Sequence, residues 1–322
     1  MIRFVNVFGY VLLFAFLWLL IVPIKPYILE AGLDPSWMSV INYALLTKMR
    51  FGEEIIFTYG PLGVFMFPDY FYNKDTFGWA IFISNIYVLF LFWGFYEVLK
   101  EFKSSFKVIG VVLILIGLDI GNGFFWYFVP LLFVAVYLRD SRGLLTLGLG
   151  FFMAFSILVK FSHFPIVFLS VLSIDLYRFI KEKKYFPFYT LLVAISMFGL
   201  FIAIGQNAGD FWSYFLGSFQ TLAGYSEAMQ SSGPLWMIWT FLAIVLFMSV
   251  LIFRIAAQSK KIEDFLFFFI GLLVLFMAFK NGFVRHDAHV IAAFSGLAFT
   301  SGIFFLFYFK NIQLRENFVV FV

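Results

Sequence analysis

Long apolar runs alternate with short polar connections along almost the whole chain. Runs near or above roughly 18 residues read as membrane-spanning helices. The pattern predicts ten of them, at about 4–24, 77–99, 106–119, 124–139, 144–160, 164–180, 186–205, 234–254, 264–279 and 290–309. The third and ninth are short for a bilayer core of about 30 Å at 1.5 Å per residue. Residues 25–76 form the one long polar connection before residue 206. Residues 318–322 read as a short hydrophobic tail or the start of a further apolar segment.

Two stretches outside the runs have helical periodicity. Asp34 and Pro35 precede Trp37, Val40, Ile41, Ala44 and Leu45, spaced as one apolar stripe. This predicts a helix lying flat at the membrane surface, with Asp34 as its N-cap and Pro35 at its first position. Asp210 is followed by Phe211, Phe215, Phe219 and Leu222 at similar spacing, a second interfacial helix inside the 206–233 loop.

Composition makes the class firm. Of 322 residues 63% are hydrophobic and 12% charged, against roughly a quarter charged in soluble chains. The fold class expected is all-α, a polytopic transmembrane helix bundle. With no cysteine there is no thiolate metal site. The net charge of +4 is a topology signal and gives no ground for a nucleic-acid partner.

With the first run uncleaved and the N-terminus in the cytoplasm, seven basic residues fall outside: Lys25, Lys48, Arg50, Lys74, Lys160, Lys280 and Arg285. The other 15 of the 22 fall inside, as the positive-inside rule requires. Ten spans return the C-terminus to the cytoplasm. All three histidines (163, 286 and 289) and most loop acids then lie on the outer face. Asp175, Glu97 and Arg254 lie near inner helix ends, where side chains snorkel. No acid or base sits mid-span, which argues against an ion-coupled transporter.

The candidate chemistry lies in the outer loops. Asp34 at the head of an interfacial helix is placed to act as a base. Glu53 and Glu54 follow Gly52; if extended, one faces inward and one outward. Tyr59, Gly60 and Pro61 make a turn. Asp119, in the short Asp119–Gly123 connection, is a candidate second carboxylate for an oxygen-ligated divalent cation, Mg or Mn. Lys160 and His163 join the fifth and sixth spans. Arg285, His286, Asp287 and His289 crowd the loop 280–289, where Arg285 can clamp a phosphate and the histidines at i and i+3 can hold a metal. Each residue also has a plain reading as cap, turn or solvated loop charge.

An acid early in a long first outer loop, an interfacial helix behind it and a Tyr59-Gly60-Pro61-Leu62 turn before the second span resemble the GT-C superfamily of integral membrane glycosyltransferases. The likeness covers about residues 1–180, with outer loop 25–76. Residues 181–322 add further spans and the loops 206–233 and 280–289 to a single transmembrane domain. The chain departs from the pattern in having single acids where several such families have pairs, and no large soluble C-terminal domain. The resemblance implies a polyprenyl-phosphate-linked sugar as donor and a glycan, lipid or protein acceptor on the outer face of a bacterial or archaeal cell membrane. Asp34 and Asp119 are then catalytic. Glu53, Glu54, Tyr59, Lys160, His163, Arg285, His286 and Asp287 bind substrate. The competing classes are a lipid-linked glycan flippase or polymerase and a non-catalytic membrane assembly subunit.

Overall fold

Apolar side chains on nearly every turn leave a helix as the one local structure that satisfies its own backbone in a lipid environment, and helices are what form. The computed structural model describes residues 2–25, 32–68, 74–100, 107–118, 124–139 and 143–308. Among these, the α-helices are α1 (Ile2–Ile21), α2 (Leu33–Leu46), α3 (Lys74–Lys100), α4 (Lys107–Gly117), α5 (Val129–Tyr137), α6 (Leu144–Val159), α7 (Phe164–Lys181), α8 (Phe188–Ala203), α9 (Phe211–Met229), α10 (Leu235–Ser259), α11 (Ile262–Phe283) and α12 (Val290–Tyr308). No strand forms among the described residues, only isolated bridges. A helix forms over each of the ten expected stretches. Among the described residues five helical segments are long and apolar enough to cross a membrane: Asp75–Lys100, Phe161–Lys181, Leu235–Ser259, Ile262–Phe283 and Val290–Tyr308. The architecture is all-helical and compatible with a helical membrane protein.

Contacts divide the chain into two compact units. The first comprises Met1–Trp93 with Leu147–Ala228, the second Gly94–Thr146 with Met229–Val322. Each unit gathers two separate stretches of chain.

In the first unit α7 and α8 pack as a hairpin. Asp175 was expected to snorkel to the surface but is buried. Its carboxylate oxygens accept the Tyr189 and Thr190 backbone N–H groups, at 3.2 and 2.7 Å, and pair with Arg178. The first N–H groups of a helix have no intrahelical acceptor, so Asp175 satisfies α8 where a snorkelling chain would leave it bare. Trp18 of α1 donates to Asn85 Oδ1 of α3 at 2.9 Å, and the Phe14 and Phe92 rings meet edge to face.

In the second unit α12 is the central helix, packing on α4, α10 and α11. Gly110 and Gly117 of α4 face α12, and a Cβ at either would collide with Leu306 or Phe299. Gly302 of α12 answers them, lying against the Gly110 carbonyl and Ile114. Small residues at a crossing let backbones approach closely, which is how apolar helices associate where burial from water contributes little. Arg139 ties helix ends together by donating to the Val98 and Leu306 carbonyls.

Candidate functional site

The helix expected at the membrane surface is α2, and its start differs from the expectation. Gly32 is the N-cap, so Asp34 is the second helical residue and Pro35 the third. The first helical bond runs from Ser36 N–H to the Gly32 carbonyl at 3.2 Å. Pro35 precedes that donor, so its missing N–H costs nothing there. Gly32 adopts φ +154°, a conformation open to glycine, which lets the chain enter the helix two residues early.

The buried face of α2 also differs from the expected stripe. Ile41 and Ala44 are buried and Trp37 half-buried, but Val40 is 52% exposed. Asn42 is buried in its place, donating to the Phe67 and Met38 carbonyls at 2.8 and 3.0 Å. The segment α2 packs on is polar in its backbone, and an asparagine satisfies it where a valine cannot.

That segment begins with the Tyr59-Gly60-Pro61 turn. A 3-10 helix, Pro61–Phe65, opens on Pro61. Before it, Tyr59 makes an antiparallel bridge with Lys160, the first residue of the connection between α6 and α7. Gly60 N–H donates to the Val159 carbonyl at 3.1 Å and Phe161 N–H to the Thr58 carbonyl at 3.2 Å. Trp37 of α2 stacks on the Tyr59 ring, with centroids 4.5 Å apart. Phe57 and Phe67 close around the pair. The Lys160 ammonium sits 4.9 Å from the centroid of the Tyr59 ring, close enough for a cation–π attraction. One aromatic group thus joins the helix that bears Asp34 to the lysine between the spans, within the first unit.

His163 lies in the same connection but is 1% exposed. Its Nδ1 is 2.8 Å from the Ser156 carbonyl, which can only accept, so the ring donates there and ties the connection to α6.

Glu53 and Glu54 are not extended and do not alternate. Residues 52–54 form a turn, with Gly52 N–H bonded to the Ile55 carbonyl at 2.8 Å. Both glutamates are exposed, and Glu54 accepts the Arg50 backbone N–H at 2.7 Å. The turn is docked on the start of α9. Arg50 donates through Nε to Asp210 Oδ2 at 2.7 Å and through Nη2 to Oδ1 at 2.5 Å, a two-pronged pair. The Arg50 hydrogen bonds hold the buried Asp210 carboxyl below its ordinary range, against its burial, which acts the other way. Gln206 completes the joint, accepting from Phe51 N–H and donating to the Met49 carbonyl. Periodicity marked Asp210 as the head of the second interfacial helix, but its pairing with Arg50 and the joint made by Gln206 were not anticipated. About 160 positions separate Arg50 from Asp210, and spacing along the chain cannot pair them.

The 280–289 loop belongs to the second unit. Ser231 N–H donates to the Val284 carbonyl at 3.0 Å, bridging Ser231 to Arg285. Arg285 Nε donates to Asp287 Oδ2 at 2.9 Å. Asp287 Oδ1 accepts the His289 backbone N–H at 3.0 Å and lies 2.6 Å from His289 Nδ1. Burial raises the Asp287 carboxyl, but the bonds from His289 and the charges of His289 and Arg285 outweigh it and bring it down to about 2. His286 is turned inward, its ring edge-on to Phe283 and packed on Gly233. The two histidines are therefore in different surroundings, not paired on a helical turn.

Among the described residues no three of the His, Asp and Glu side chains gather as a metal-ligand group. Asp119 lies outside the described residues. Comparison with family models, curated proteins and solved structures gave no match.

Proposed function

We propose that the protein is a membrane glycosyltransferase of GT-C type, moving a sugar from a polyprenyl-phosphate donor to an acceptor on the outer face of the membrane. The proposal includes ten spans with both termini cytoplasmic and residues 25–76 outside. The observation that supports it most is the aromatic joint in which Trp37 stacks on Tyr59 and Lys160 lies over the same ring. It fastens the acid-bearing helix α2 beside a basic residue at the mouth of two apolar helices. A donor entering from the lipid presents its phosphate at headgroup depth. There Lys160 stabilises the charge that develops as the sugar leaves, and Asp34 takes the proton of the attacking hydroxyl or amine. The reading rests on the first unit; the Arg285–His289 turn carries no part of it.

The decisive variant is Asp34→Asn. Asp34 lies in the first turn and not at the cap, so Asn there loses the carboxylate's interaction with the helix dipole, about 0.3–1 kcal/mol, and the fold should survive. An amide cannot accept the proton, and loss of a general base costs roughly 10²–10⁴ in rate. Turnover of a polyprenyl-phosphate sugar by purified protein should fall by that factor with donor binding retained. Turnover near that of the unsubstituted protein removes Asp34 from the reaction.

A further inference from the structure

The Arg285–His289 turn has a chemistry the glycosyl-transfer reading does not use. Asp287, a carboxylate ionised at neutral pH, can only accept hydrogen bonds. The 2.6 Å contact to His289 therefore needs the proton on Nδ1. In the neutral ring that leaves the lone pair on Nε2. Arg285 holds the carboxylate from its other oxygen at 2.9 Å, so the carboxylate is fixed from both sides. Among the described residues Asp287 is the charged side chain in contact with the imidazole. The His289 side chain is 28% exposed, so Nε2 is within reach of a ligand.

We propose that Arg285, Asp287 and His289 form an acid–base centre of their own, in which His289 Nε2 accepts a proton from a neutral hydroxyl-bearing ligand. Asp287 is the positioning residue and Arg285 positions Asp287. Charge selects the ligand class. Arg285 and Asp287 cancel, so with a neutral imidazole the group carries no net charge and offers an anion little attraction. An alcohol matches it better, donating its hydroxyl proton to Nε2. The proton moves from the hydroxyl oxygen to Nε2, leaving an alkoxide and an imidazolium of opposite charge, and Asp287 stabilises the imidazolium.

The full-length protein, purified in detergent at pH 8, is treated with diethyl pyrocarbonate, which acylates bare imidazole nitrogen, and the three histidines are read by peptide mass spectrometry. His289 should react fastest, and Asp287→Asn should slow it roughly tenfold, the worth of one charge-assisted hydrogen bond. An unchanged rate overturns the centre. Methyl α-glucoside at high concentration should protect His289 and inorganic phosphate should not; protection by phosphate, or none by the glucoside, overturns the ligand class. Exposure alone would make His289 reactive, so the unsubstituted protein labelled with ¹⁵N-histidine supplies an independent readout. Its His289 ring should be protonated at Nδ1 and bare at Nε2. The opposite tautomer overturns the proposal however the variant folds.

Discussion

At the scale of single residues, chemistry here is set by which partner a side chain finds. Three loop acids end in three situations. Asp210 is buried against a guanidinium, Glu54 caps a turn in solvent, and Asp287 is shared by an arginine and a histidine. The last gives a pH forecast. Its folded-state pKa of about 2 lies below the ordinary 3.8. Its contribution is therefore fully present above about pH 4 and disappears as pH falls through about 2. Hydrogen exchange at the His289 amide should stay protected from neutral pH down to about 4, then lose protection towards pH 2. Loss of protection already near pH 6 would mean that the Asp287 carboxylate does not hold that amide.

At the scale of elements, the first connection is held by joints that a span-by-span reading cannot anticipate. Gly52 shows how tight one of them is. It has φ +98°, and a Cβ there would strike the backbone of Ser213 and Tyr214 on α9. Both the conformation and the approach require glycine. Gly52→Ala should therefore push the 50–55 turn off α9 and cost about 1–3 kcal/mol, read as a lowered melting temperature in detergent. Gly199→Ala, in open space inside α8, is the control and should keep or slightly raise the melting temperature. Equal melting temperatures for the two variants would mean that the turn is not docked on α9 as described. The start of α2 teaches the same lesson. A sequence window places the cap at Asp34 because Asp before Pro is the commoner signal, yet the helix is entered through Gly32, whose φ of +154° is open to glycine.

For the whole molecule the open property is sidedness, which the 15-to-7 division of basic residues predicts. The absence of cysteine makes the test clean. Single cysteines replacing the exposed Glu53 and Lys183 should differ in intact cells. An impermeant thiol reagent should label position 53 and leave position 183 untouched until the membrane is opened. The reverse result would put the α2 connection in the cytoplasm and remove the proposed donor and acceptor geometry with it.

What the sequence determined by itself was the helical class and the place of its elements. Continuous apolar runs leave the backbone no alternative to a helix in lipid, and that signal is local and strong. Periodicity also located α2 and α9, because an amphipathic stripe is a local property too. Tertiary structure decided which polar residues meet. Lys160 over Tyr59, Arg50 on Asp210 and the inward turn of His286 depend on where distant segments pack. Partner choice for a loop side chain is fixed by three-dimensional proximity, which spacing along the chain does not encode. Asp287 and His289 are the intermediate case. They stand two positions apart and their types were plain in the sequence, but the tautomer follows from a single 2.6 Å contact that only the folded turn creates.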